Sequence, residues 1–292
     1  MPAANSMVTR LWHRLLGRSR PSDRLESIPL PSARFGRPLP YGVLAPPASA
    51  GSDRPPHVCY LLHGLGDDHL ALDRFGVAGR LYDQMAAGAL PPMTIVAPSG
   101  ERGFYVDWHD GSHPYESHII DEVLPSVEAR LGLEVERERR HLLGVSMGGI
   151  GALHLGLRHP ELFGSIACLS GPILDEREAV EHIETSFLRF FVRFEPIFGD
   201  GSDRAFIEGH NPFAIVRRRA PDLGQRLLVA AGRAEKPFFR DTTRRFHEFL
   251  AERGVEHEWL EFPGGHGWRF WCPVIEDRLQ GLARERPWPT TS

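Results

Sequence analysis

The sequence predicts an α/β fold: one mostly parallel central sheet, helices on both of its faces, and a small inserted cap. Three observations lead there. Short apolar runs such as HVCYLLHG (57–64) and PPMTIVAPSG (91–100) lack polar alternation and stop at Gly, as strands buried on both faces do. Stretches with helical spacing separate them, among them YESHIIDEVLPSVEARLG (115–132), which puts Ile119, Ile120, Val123, Leu124 and Val127 on one side. Strands that alternate with helices pair in parallel through crossovers.

In order along the chain, residues 1–25 read as a basic N-terminal arm. Within it, MVTRLWHRLLGRSR (7–20) sets Val8, Leu11, Trp12, Leu15 and Leu16 at helical spacing. That pattern suits an anionic membrane surface, but a mobile arm or a helix packed on its own domain is the plainer expectation. Residues 20–56 are rich in Pro and Arg, and 33–47 reads as edge strands of a hairpin, because Pro is tolerated mainly at edges. The strand at 57–64 leads to a helical stretch around 69–88, the strand at 91–100 and an aromatic loop, GFYVDWHDGSHP (103–114). The helix 115–132, a strand and helix around 141–157, and a strand at 163–171 follow. Residues 172–222 break the alternation with scattered aromatics and the breakers FGDGSD and HNP, and read as a cap or lid. The strand 224–232, the helix 238–253, a strand with its exit loop at 255–265 and the helix 267–284 complete a domain spanning 26–286. Residues 287–292 are a tail.

The most informative stretch is HLLGVSMGGIGALHLGL (141–157), centred on Gly144-Val145-Ser146-Met147-Gly148. Apolar residues before a G-x-S-x-G pattern and small residues after it describe a nucleophile elbow. There a tight strand-to-helix turn strains a Ser at its tip and leaves its neighbours room only for glycine. A serine hydroxyl attacks only when a histidine takes its proton, and a carboxylate must orient that histidine. On such a sheet the order is Ser, acid, His, and each residue sits on a loop at the carboxyl end of a strand. His266, in FPGGHGW past the strand 255–262, meets this requirement, whereas His247 and His257 fall inside a helix and a strand. Glu235 follows QRLLVAAG by three residues and is the preferred acid. Asp241 is its rival, though a helix start explains it as an N-cap. Backbone N–H groups of Met147 and of Leu65, in LLHGLGDD (61–68), would bind the oxyanion. His63 in the same loop reads as a structural hydrogen-bonding residue. Trp108, with less weight on Phe104, Tyr105, His109, His113, Trp268 and Trp271, is a candidate wall for the substrate pocket; ordinary packing explains these aromatics as well.

The bulk composition narrows the partners. A formal net charge of -4 argues against nucleic acid as the main partner. Cys59, Cys168 and Cys272 have no metal-ligand spacing and cannot all pair, so buried thiols in a reducing, cytoplasmic compartment are expected. No apolar run is long enough for a transmembrane helix. The N-terminus has neither a continuous apolar core nor a small-residue cleavage site, so no secretory signal is expected.

Taken together, L-L-H-G-L-G-D-D, G-V-S-M-G-G, G-R-A-E and P-G-G-H-G-W resemble the Putative esterase family of α/β-hydrolases, over about residues 30–280. That family includes S-formylglutathione hydrolase (esterase D), tributyrin and feruloyl esterases, and mycolyltransferases. DEVLP at 121–125 and the FG…NP pattern at 198–212 are similar to family features too. The resemblance implies an α/β-hydrolase fold and a serine carboxylesterase that needs no metal or cofactor and acts on a small-molecule ester. It implies Ser146 as nucleophile, His266 as base, Glu235 as acid, and Leu65 with Met147 as oxyanion hole. Relatives usually carry Asp as the acid. The expected activity is hydrolysis of small to medium carboxylic esters. Acyl transfer by the same triad and a non-catalytic interaction protein on this fold are the alternatives, with peptidase activity behind them.

Overall fold

The computed structural model describes residues 24–50, 57–132, 134–186 and 192–282. The expectations for the arm at 7–20 and the tail after 287 lie outside these residues. Ten strands run in chain order: β1 (Glu26–Ile28), β2 (Pro31–Ser32), β3 (Arg37–Pro38), β4 (Tyr41–Leu44), β5 (His57–Leu62), β6 (Met93–Pro98), β7 (Arg140–Val145), β8 (Ser165–Leu169), β9 (Arg226–Gly232) and β10 (Glu258–Phe262). Eight of them form one sheet in the order β1-β4-β6-β5-β7-β8-β9-β10, and β2 pairs with β3 apart from it. From β6 to β10 every neighbouring pair is parallel. β4 is antiparallel to both β1 and β6. The hairpin expected at 33–47 therefore differs in place: β4 lies one position in from the edge and β1 is the edge. Pro38 and Pro40 precede β4, so its ladder keeps its donors.

The helices are α1 (Ala71–Arg74), α2 (Val77–Ala86), α3 (Tyr115–His118), α4 (Leu124–Leu131), α5 (Met147–Arg158), α6 (Glu176–Thr185), α7 (Phe194–Phe198), α8 (Arg204–His210), α9 (Pro212–Arg219), α10 (Pro237–Glu252) and α11 (Trp268–Leu282). The stretch 69–88 is two helices, split at Gly76, which sits at φ 69°. α3 runs into α4 through a π-helical turn, Ile119–Val123. Pro125 follows at once; it has no N–H to give residue 121, and its ring would crowd that carbonyl in a regular α-turn.

Strand residues alternate between two cores. Val58, Tyr60, Leu62, Leu142, Ile166, Cys168, Leu227 and Val229 face one, with α4, α5, α9 and α10 packed on it. Cys59, Leu61, Leu143, Val145, Ala167, Leu169, Leu228 and Ala230 face the other, under α1, α2 and α11. Burial on both sides is what continuous apolar strands require. Between β8 and β9, α6 opens on a capping box made by Asp175 and Glu178. Asn211 caps α9, its Oδ1 accepting from the N–H groups of Phe213 and Ala214. α9 drives Phe213, Ile215 and Val216 into the first core, so it belongs to the sheet's own cover.

Candidate active site

β5 pairs with β6 on one side and β7 on the other, so the crossovers leave β5 in opposite directions. That reversal opens a crevice at the carboxyl ends of β5 and β7, where ligands bind in open α/β sheets. Ser146 lies there, between β7 and α5, at φ 56° and ψ −120°. A Cβ on Gly144 would stand 1.9 Å from the Gly148 carbonyl oxygen, and one on Gly148 would stand 2.2 Å from that of Leu62. The two glycines flanking the serine are thus dictated by backbone approaching backbone. The Ser146 N–H donates to the Leu169 carbonyl at 2.8 Å, tying the elbow to β8.

His266 reaches this serine from the loop after β10: its Nε2 lies 2.8 Å from Ser146 Oγ. Gly264, at φ 111°, turns that loop. The loop is tied to the one after β9, because Ala234 N–H donates to the Gly264 carbonyl at 2.8 Å and Arg233 N–H to that of Phe262 at 2.9 Å. The imidazole stacks on Phe239, centroids 3.8 Å apart, and meets Trp271 edge-on. Glu235 sits on the β9 loop, 4% exposed, with Oε1 3.5 Å from His266 Nδ1. Asp241, the rival acid, pairs instead with Arg240, Nε to Oδ1 2.8 Å.

One neighbour escaped the sequence reading. Ser170, at the carboxyl end of β8, donates its hydroxyl to Glu235 Oε1 and accepts the Trp271 indole N–H at 2.9 Å. The only signal was a Ser-Gly pair closing an apolar strand, which many loops share.

Met147 is the first residue of α5, so its N–H has no acceptor within the helix. The loop carrying Leu65 passes close by: a Cβ on Gly64 would be 3.4 Å from Ser146 Cβ. His63 holds this loop. Its Nε2 accepts the Gly100 N–H at 3.0 Å, which leaves Nδ1 to donate to the Gly64 carbonyl at 2.9 Å. Burial pushes this imidazole down to about 4, in keeping with a neutral structural ring.

Ser146 and His266 open onto a cleft of about 340 Å³, walled by Leu65, Phe104, Ile173, Ile183, Phe194 and Phe238 among others. Trp108 is not among the lining residues, contrary to expectation. Its backbone N–H donates to the His113 carbonyl within a loop closed by the Asp107–Pro114 bridge, and its ring folds back onto His113, centroids 4.1 Å apart. Phe104 from the same loop takes the wall position. Trp268 donates to Asp67 Oδ2 at 2.8 Å and braces the loop after β5.

Glu116, His154 and His210 place one potential metal-ligand atom each within 4.8 Å of the others. The carboxylate is already surrounded by positive partners, however. Arg158 Nε donates to its Oε1 at 2.8 Å, His159 shares that oxygen at 2.7 Å, and His154 lies on Oε2 at 2.7 Å. These contacts hold the Glu116 carboxyl well below the usual range and push His159 up. A divalent cation there would meet the adjacent guanidinium, so the set works as an ion-pair hub joining α3, α5 and α8. The three cysteines are free and buried. Among the described residues, no helix is long and apolar enough to cross a membrane.

Sheet order, elbow and carboxyl-end loops define the α/β-hydrolase fold. The chain belongs to the Putative esterase family, whose description matches residues 32–282, and is a carboxylic ester hydrolase. It is 25% identical over 239 residues to an acetyl esterase of Caldicellulosiruptor saccharolyticus, covering 77% of this chain and 82% of that one. It is 29% identical over 295 residues to esterase Rv1288 of Mycobacterium tuberculosis, a match that takes in 94% of this chain but 62% of the relative. A solved ferulic acid esterase superposes with a TM-score of 0.72 at 22% identity, over 89% of this chain and 97% of that one, which shows the shared fold.

Proposed function

We propose that this enzyme hydrolyses small to medium carboxylic esters through an acyl-enzyme on Ser146. The observation that carries the reading is the 2.8 Å contact between His266 Nε2 and Ser146 Oγ, with Glu235 buried behind the imidazole. His266 takes the hydroxyl proton as Oγ attacks the ester carbonyl. The N–H groups of Leu65 and Met147 receive the oxyanion, and Glu235 stabilises the imidazolium. The imidazolium then protonates the departing alkoxide. In the second half-reaction His266 activates water, which releases the acid and restores the serine.

The apolar cleft beside Ser146 supports an acyl group of a few carbons or an aryl group, held by contact area rather than by charge. Of the stretch between β8 and β9, α6 and α7 act as a cap, since Ile183, Phe194 and Phe198 wall this cleft, and Ile173 joins them there. Three buried free thiols fit a reducing, cytoplasmic setting.

Labelling with a fluorophosphonate probe, followed by peptide mass spectrometry, tests the nucleophile. The expected result is one adduct, on Ser146. An active enzyme that stays unlabelled, or is labelled at another residue, overturns the reading.

A further inference from the structure

The Glu235 carboxylate is buried, and its Oε2 has no hydrogen-bond partner among the described residues. All of its anchoring falls on Oε1, the oxygen that also faces His266 Nδ1 at 3.5 Å. A buried carboxylate with one bare oxygen keeps its charge and direction only through the donors on the other. Ser170 is such a donor, and its geometry is costly to maintain. It is fully buried and sits at φ 56°, a conformation that non-glycine residues rarely adopt. Its N–H is pinned to the Ala230 carbonyl at 2.7 Å. Its hydroxyl cannot turn elsewhere, because the Trp271 indole N–H occupies its acceptor side at 2.9 Å. Trp271 lies on α11, directly after the loop that carries His266, and its ring meets that imidazole edge-on with centroids 4.9 Å apart. One tryptophan therefore touches the base by its ring and the holder of the acid by its N–H.

We propose that Ser170 is a positioning residue for the reaction: polarised by Trp271, its hydroxyl orients the Glu235 carboxylate towards His266. The inference rests on Glu235 and His266 acting as acid and base. The chain of contacts runs from the Trp271 indole to Ser170, Glu235, His266 and Ser146, and it joins the ends of β8, β9 and β10 to the elbow. The Cys168 thiol also neighbours Glu235; burial pushes it up to about 12, so it stays protonated across the working range.

Removing the hydroxyl leaves the carboxylate a stronger acceptor for the imidazolium, so the Glu235–His266 pair takes up its proton at higher pH. The test compares Ser170→Ala, Ser170→Gly and Trp271→Phe with the parent enzyme. It measures kcat/KM per fluorophosphonate-titrated site across pH 5 to 9, with melting temperatures alongside. Glycine accepts the left-handed backbone without strain, so Ser170→Gly separates loss of the hydroxyl from loss of folding. The expected result is a fall in kcat of about 10- to 100-fold for both Ser170 variants, with KM little changed. Their acid limb is displaced upward by about half a pH unit or more. Trp271→Phe shifts in the same direction by less, and adds little on top of Ser170→Gly. A Ser170→Gly enzyme with the parent's kcat and pH profile overturns the proposal. So does a loss of activity matched by the loss of titratable sites, with the limb unmoved. Ser146→Ala, run in parallel, reports separately on the acyl-enzyme reading.

Discussion

Ser146 Oγ and His266 Nε2 are 120 residues apart in sequence and 2.8 Å apart in space. Two parallel strands and two tied loops close that distance. β9 and β10 bring the acid and base loops side by side, and the backbone bonds from Arg233 and Ala234 to Phe262 and Gly264 set their spacing. The serine is carried in on the other side by β7, whose elbow is bound to β8 through Leu169.

Glu235 brings its Oε1 to 3.5 Å from His266 Nδ1. Glu235→Gln keeps the shape, loses the charge, and favours the wrong imidazole tautomer. It is expected to lower kcat by about 10³- to 10⁴-fold. Glu235→Asp withdraws the carboxylate from both His266 and Ser170 and is expected to cost about 10- to 100-fold. Steady-state kinetics on a p-nitrophenyl ester check both, and parental rates in Glu235→Gln would remove the residue from the relay.

Gly148 has no room for a side chain, since a Cβ would lie 2.2 Å from the Leu62 carbonyl oxygen. Gly148→Ala must push α5 away from β5, moving the Met147 N–H together with Ser146. The expected cost is about 1–3 kcal/mol of stability or more, read by urea unfolding, together with loss of ester turnover. Gly111, at φ 74° with open space where a Cβ would stand, is the contrasting site. Gly111→Ala is expected to leave turnover unchanged.

Burial holds His63 and His210 down at about 4. In the unfolded chain these imidazoles titrate near 6.5, so between those values the unfolded state binds more protons. Their contribution to stability is complete above about pH 6.5 and drains away as the pH falls towards 4. Glu116, held low by its cationic neighbours, carries the same sign at lower pH. His159, raised by Glu116, has the opposite sign: its contribution is present below about pH 6.5 and is lost as the pH climbs through its raised value. Melting temperature is therefore expected to drop steeply from pH 6.5 to 4.5. His210→Gln should flatten that slope, and an unchanged slope would contradict the assignment.

Ile173 is buried and forms part of the cleft wall. Ile173→Trp is expected to fill part of the cleft. Hydrolysis of a hexanoyl ester is expected to fall by about tenfold or more in kcat/KM, with an acetyl ester within about twofold of the parent. An acyl-chain panel of p-nitrophenyl esters checks the difference.

The β/α alternation and the three loop residues were legible because each left a local mark. β5 and β6 are uninterrupted apolar runs, and Ser146 is bracketed by glycines that the backbone demands. His266 sits in a glycine-rich loop past a strand. What was hidden depends on tertiary placement. Trp108 and Phe104 belong to one aromatic loop, and only its closure by the Asp107–Pro114 bridge decides which ring faces the cleft. The place of β4 inside the sheet depends on β1, a three-residue strand with no strong pattern of its own. Ser170 looks ordinary in sequence because its role arises from Trp271, 101 residues away.

The central claim is that Ser146 forms the acyl-enzyme with His266 as its base. Steady-state hydrolysis of p-nitrophenyl butyrate by the parent enzyme and by Ser146→Ala, at matched folded concentration, tests it most directly. The account predicts that kcat falls by about 10⁴-fold or more while the melting temperature holds. Undiminished turnover in Ser146→Ala would contradict it.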